Sequence, residues 1–208
     1  MVEVLTVLTI VSILTVTTLS SFSALKSTGL TSSGNQMVDV FAMARQNSIA
    51  KNDYTAVVID TQGTGACRAY CLLELTRGDD GTFGTWTVLT PWKYLGNGVV
   101  FENTPGTASF DTFMQTSVVP SLPQPLPASL PFQGQPINLS GSGAIAVQCY
   151  QSDGTLVGGQ SLRLRLVEGA VNSSGNLTYQ GSTASGTQVS YYDLYFVANT
   201  GATVIGRP

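Results

Sequence analysis

Glu3 stands at the head of a run, Val4 to Leu25, that holds no charge, no Gly and no Pro. A carboxylate inside an apolar segment costs on the order of 3 kcal/mol on insertion scales, and it is retained where it meets a cation. The obvious cation is an N-terminal amine. The chain's own amine lies two residues away, but a helix points it back along the axis. The Met1 amine of a neighbouring chain, shifted axially, can reach Glu3. Their attraction offsets the burial of both charges only in the correct stagger, so such a pair specifies register more than it stabilises. Met1 and Glu3 are therefore the residues expected to direct assembly.

Other chemistry is hard to build from this chain. It has no histidine, so the usual general base at neutral pH is missing. The three lysines, Lys26, Lys51 and Lys93, sit in no recognisable Ser–Lys motif. Gly63-Thr64-Gly65 reads as a hairpin turn rather than a phosphate cradle, because no helix follows. Asp79-Asp80-Gly81 lacks the spaced oxygen ligands and the terminal Glu of a calcium loop. The sequence thus predicts no catalytic residues, no cofactor and no metal site. Nucleic-acid binding is excluded as well: nine scattered Lys and Arg against twelve Asp and Glu cannot neutralise a row of phosphates. Asn138, Asn172 and Asn176 each open a glycosylation sequon, a pattern common by chance.

Cys67, Cys71 and Cys149 permit one disulfide in an oxidising compartment and leave an odd thiol. Cys67 and Cys71, four apart on an extended strand, share a face but stand about 13 Å from each other. Cys149 can pair with either if its strand lies alongside. The alternative is that all three are small, buried, apolar side chains. A zinc site is not expected, because there is no histidine and no further cysteine to complete an all-thiolate tetrahedral set.

The elements that would position these residues follow from pattern. Residues 1–25 are apolar on all sides, and at about 1.5 Å per residue a helix of that length crosses a hydrocarbon core of roughly 30 Å. Residues 26–52 change character. Met37, Val40, Phe41, Ala44 and Ser48 fall at helical spacing, which predicts an amphipathic helix over Asn35–Ala50 with its stripe on a sheet. Ser33 and Gln36 offer a capping box. Thr15–Thr18, Ser20, Ser21 and Ser23, with Gly29 and Gly34, mark where the rod would bend or unwind. Residues 53–208 read as a β-rich head, with strands expected at 54–60, 67–76, 85–89, 93–95, 99–102, 144–150, 161–167, 177–179, 189–197 and 202–205, in an antiparallel arrangement. Within the head, 118–136 carries six of the chain's nine prolines. Pro has no N–H for a ladder, so this segment is expected to be an extended, strand-free loop, lying on its own domain or reaching an adjacent subunit.

Met1-Val-Glu3-Val-Leu-Thr-Val-Leu-Thr-Ile-Val-Ser-Ile-Leu14 resembles the mature N-terminus of type IV pilins and type II secretion pseudopilins. In that family a leader peptide is removed, and a methylated Phe is followed by a polar residue, two apolar residues and a Glu. Here Glu3 follows Met1 and Val2, so the motif matches with two further residues upstream. A second stretch, Ala42-Met-Ala-Arg45 through Lys51-Asn52 into Tyr54–Ile59, is similar to the GspH-like pseudopilin branch, as is the closing Val197–Gly206.

The resemblance implies an α+β fold: a long N-terminal helix packed on an antiparallel sheet domain. It implies a homo-oligomeric helical filament of identical subunits outside a bacterial cell, in a type IV pilus or a secretion pseudopilus. It also implies storage as a single-pass inner-membrane protein and handling by an assembly machinery. Thr6, Thr9, Ser12 and Thr15 recur every three residues, suiting close helix approach or bonds back to their own helix. A membrane-anchored binding module, with Trp86 and Trp92 as its ligand surface, is the rival reading.

Overall fold

The computed structural model describes residues 2–61, 66–78, 80–102, 122–132, 135–138, 145–159, 161–172, 177–179 and 190–206. In the first half of the N-terminal helix the backbone is described throughout, but side chains only at Val7, Leu8 and Ser12 before Thr28.

The architecture is α+β: one long helix against antiparallel sheets. Helix α1 runs without interruption from Val2 to Lys51, about 75 Å at the standard rise. The expected break in the Ser/Thr and Gly zone is absent. Ser and Thr cost only about 0.5 kcal/mol each in a helix and Gly about 1, and a helix already nucleated on either side absorbs that. Nor is Ser33 a cap: it lies mid-helix, and its hydroxyl accepts the Gly96 N–H at 3.1 Å.

The C-terminus of α1 is a Schellman stop. Asn52 takes φ 57°; the Asn52 N–H donates to the Ile49 carbonyl and the Asp53 N–H to that of Ser48, the paired bonds of that motif. Lys51 then reaches Glu74 at 2.7 Å, and Asp53 accepts the Arg77 N–H at 2.8 Å. These contacts fix where the helix hands over to strand β1.

Among the described residues eleven strands follow: β1 Tyr54–Asp60, β2 Ala69–Arg77, β3 Phe83–Tyr94, β4 Val99–Phe101, β5 Ser129–Phe132, β6 Gln135–Asn138, β7 Ile145–Tyr150, β8 Leu162–Val171, β9 Leu177–Tyr179, β10 Tyr191–Val197 and β11 Ala202–Gly206. They form a four-stranded sheet in the order β3-β2-β1-β7, a five-stranded sheet built on β11-β10-β8-β4 with β9 on β8, and the β5-β6 hairpin. The one sheet expected is therefore two, and the helical stripe packs against both.

Two strand expectations fail, and prolines are involved in both. Residues 85–89 and 93–94 belong to a single strand, β3, which contains Pro91, and Leu95 lies just past its end. This works because β3 is an edge strand and its pairing with β2 shifts register in three places, one of them between Tyr70 and Leu72 opposite this stretch; edges and bulges are where a strand tolerates Pro. The proline-rich loop also contains strands. In the β5-β6 pair Pro131 stands opposite Pro136, next to the Phe132–Gln135 pair that flanks the connection. Along an antiparallel ladder hydrogen-bonded and non-hydrogen-bonded pairs alternate. With Phe132–Gln135 as the bonded rung, both prolines fall on the rung that asks for no N–H.

Alternation along the central strands divides the core in two. Val57, Ile59, Tyr70, Leu72, Ala146 and Tyr150 face the helix, joined there by Leu164, Leu166, Leu194 and Phe196 of the second sheet. Ala56, Val58, Cys71, Leu73, Val147 and Cys149 face the other way. That outer face is covered by the proline-rich segment, whose Leu122, Leu126 and Leu130 pack on it, while the Trp86 indole N–H donates to the Gln124 carbonyl at 3.0 Å.

Candidate assembly surface

The helix presents two different surfaces along one axis. In its C-terminal half, Met37, Val40, Phe41, Ala44 and Ser48 are buried, as their spacing predicts. Phe41 stacks tilted on Phe196, ring centroids 4.5 Å apart. Tyr192 lies across the helix at Gly34: a Cβ built there would meet the ring at 2.5 Å. Its hydroxyl donates to Asn35 at 2.9 Å, and Gln36 donates to the Tyr70 hydroxyl at 2.6 Å. So Gly34, which sequence reads as a weak point in the rod, is the place where the second sheet approaches the helix most closely.

Among the described side chains of α1, the buried ones begin at Leu30. In the first half Val7 and Leu8 are 60% and 59% exposed. Apolar side chains that open to solvent on consecutive positions of a helix are unfilled contacts. Ser12 donates to the Leu8 carbonyl at 2.8 Å, so of the two roles open to the three-residue hydroxyl series, this one bonds its own helix. Thr6, Thr9 and Thr15 have side chains outside the described residues.

Of the two residues expected to set register, Met1 lies outside the described residues. Glu3 is on the first turn of α1, its side chain likewise outside them. Among the described residues no helix is long and apolar enough to cross a membrane; the expected span, 1–25, falls largely on positions whose side chains are not among them.

The three cysteines are buried and none is in a disulfide. Cys71 and Cys149 lie on β2 and β7 with β1 between them, opposite Val58 and Ala56 respectively. Strands two places apart in a sheet are roughly 9.5 Å apart, beyond disulfide reach. Cys67 precedes β2 in a left-handed conformation, φ 52°, which breaks strand parity and turns it into the helix-side core instead of sharing a face with Cys71. Burial pushes the Cys71 and Cys149 thiols well up, so they stay protonated and unreactive.

The tryptophans do not form an exposed ligand surface. Trp86 is buried under the proline-rich segment, and Trp92 is half-buried beside the same cluster. An open groove of about 570 Å³ follows the helix flank from Ser32 to Met43, with Tyr70 and Lys93 on its other wall. Among the described residues no group of three His, Cys, Asp or Glu is placed to hold a metal. Charge also gathers on the second sheet: Arg165 grips Asp193 with two bonds of 2.6 and 2.8 Å, stacks on Tyr191 at 4.0 Å, and leaves Glu102 at 3.7 Å. Burial raises the Glu102 carboxyl above its ordinary value, while Arg165 and Arg163 pull it back.

No family model matches the chain, and no curated protein does. Three solved structures are similar to it over most of their length. One is the type IV minor pilin FimU of Pseudomonas aeruginosa, at 8% identity, covering 86% of this chain and 92% of that one, with a TM-score of 0.42. Another is the minor pseudopilin EpsH of the Vibrio cholerae type 2 secretion system, at 15% identity, 85% and 94% coverage and a TM-score of 0.41. A further EpsH structure gives 13% identity, 88% and 97% coverage and 0.40. Function rests instead on the chain's own residues.

Proposed function

We propose that this chain is a structural, non-enzymatic subunit of an extracellular type IV pilus-like filament, held in the inner membrane by its N-terminal helix until an assembly machinery extracts it. The observation that carries this reading is the division of α1: a second half with a buried apolar stripe from Leu30 to Ser48, and a first half whose described apolar side chains, Val7 and Leu8, are open. Lipid satisfies that first half before assembly, and the same half of neighbouring copies satisfies it afterwards. The β-rich head then coats the outside. Glu3 selects the stagger by pairing with the N-terminal amine of the next copy, because only one axial offset leaves neither charge unpaired.

The stretch Ala42–Ile59 and the β10-β11 hairpin favour a second version of the same role, a minor pseudopilin of a type II secretion system. Copy number separates them: a main subunit makes up the bulk of a sheared filament, a minor one a trace.

Glu3→Ala tests the proposal. It should remove, or reduce at least tenfold, the sheared polymer, with the membrane-bound pool unchanged on fractionation. Undiminished polymer would remove the register argument.

A further inference from the structure

The edge strands of the two larger sheets differ in how their outward amide groups are closed. β3 is bulged in three places and holds Pro91. At β4 the Phe101 N–H is given to the Cys67 carbonyl at 2.8 Å, and at β7 the Cys149 carbonyl accepts the Val157 N–H at 2.9 Å. β11 has none of these guards. It pairs with β10 in unbroken register from Ala202 to Gly206. It contains no proline and no charge, and among the described residues no strand borders its far side. Alternate residues of such an edge turn their N–H and C=O groups outward. Two of its side chains are open as well, Val204 at 52% and Ile205 at 44% exposure. Val204 stands opposite Tyr195 and Ile205 opposite Leu194. Leu194 faces the helix, so the two exposed side chains lie on opposite faces of one edge.

We propose that β11 pairs antiparallel with β11 of a second copy, joining two heads into one continuous sheet. A row of outward amide groups is filled by an extended strand, and this strand fits its own image. Two copies are self-complementary about a two-fold axis, and a charge-free strand brings no like charges together across it. Register follows from parity. Bonded partners must both be outward-turned, so paired residue numbers sum to an even value and the axis passes through a residue. Full overlap of Ala202–Gly206 places it at Val204. Val204 then meets Val204 of the second copy, Thr203 meets Ile205, and Ala202 meets Gly206. Both exposed side chains gain a cross-strand neighbour. The axis stands normal to the sheet. Because α1 lies along that sheet, touching β4, β8, β10 and β11, the axis reverses it, and paired heads carry antiparallel helices. Copies side by side in one bilayer or one filament point the same way and cannot pair like this. The contact belongs to heads on opposed surfaces or on filaments of opposite direction. It needs only the head, so it does not rest on the filament reading.

The test uses the full chain in detergent micelles, oxidised with copper phenanthroline. The native thiols are buried and stay out of the reaction. Val204→Cys sets a thiol on the axis beside its own counterpart, within the Cα separation that a disulfide spans. Ile205→Cys is also exposed, but its counterpart lies about 8 Å away, out of reach. The Val204→Cys chain should form a covalent dimer at least about tenfold faster than the Ile205→Cys chain. Ile205→Cys chains mixed with Thr203→Cys chains should link to each other. Equal rates for the two single variants, or no link in the mixture, would overturn the pairing. A second arm reads the same mixture after a change of charge. Val204→Lys added to both chains should abolish the 203–205 link, and Val204→Lys on one with Val204→Glu on the other should restore it. A link indifferent to those charges overturns the pairing as well, even where the helices themselves associate in the micelle. Sheared polymer, scored in cells, tests the filament reading alone, whatever the links show.

Discussion

The two halves of α1 are made of one continuous backbone and differ in what completes them. From Leu30 to Ser48 the helix is completed by its own chain: Phe41 on Phe196, Tyr192 over Gly34, Lys51 on Glu74. At Val7 and Leu8 it is not. The first half carries apolar residues on all sides, while the second is striped. A stripe needs one flat partner, such as a sheet; an apolar surface on all sides needs partners all round, which only lipid or a bundle supplies. On the filament reading, the difference teaches that folding and assembly are assigned to separate stretches of one element.

The largest test of that division is removal of residues 1–28. The remaining 29–208 should fold as a soluble, monomeric, β-rich domain with complete loss of polymer, seen by circular dichroism and sedimentation. A fragment that polymerised unaided would break the comparison. Next comes Phe41→Ala, which opens a cavity between helix and second sheet; it should cost about 3–5 kcal/mol, measured by denaturant unfolding of that fragment. Gly34→Ala sharpens the same point. Ala gains about 1 kcal/mol of helix propensity, but its Cβ would strike a Tyr192 ring that is buried and tied to Asn35. Overpacking of this kind costs about 1–3 kcal/mol, so the net change should be a loss of about 1 kcal/mol; a gain would mean the sheet can retreat from the helix.

The smallest effect should come from Glu102→Gln, which touches neither half. The folded-state value of Glu102 is raised, chiefly by burial. Its contribution to stability is then fully present below the ordinary Glu range of about 4.3 and is lost as pH rises through the raised value. The variant should flatten the denaturant midpoint across that window while filament yield stays the same.

Much of this was legible in the sequence because the signals were periodic. The stripe from Met37 to Ser48 and the strand Tyr54–Asp60 are where spacing and β-branching place them. What was not legible depended on partners distant in sequence. Gly34 looks like a flaw until Tyr192 is set against it. Pro91 looks like a terminator until β3 turns out to be an edge, and Pro131 and Pro136 look hostile to pairing until they are opposite each other. A single left-handed residue, Cys67, moves one thiol to the other side of a sheet. Local propensity carries no information about any of these, because each is decided by geometry between elements. Nor did the sequence show which of its two roles the proline-rich segment takes within the molecule; its three leucines settle on their own sheet.

The irregular edge of β3 has a bearing on crowding. In the proposed filament, heads arrayed around a common axis would sit flank to flank at concentrations where regular strands zip together into inert aggregates. With its register broken three times and a proline set into it, β3 offers no unbroken row of amide groups for a stranger to copy. Molecules so shaped can be stored densely, shuffled past one another and drawn out one by one without their flanks fusing.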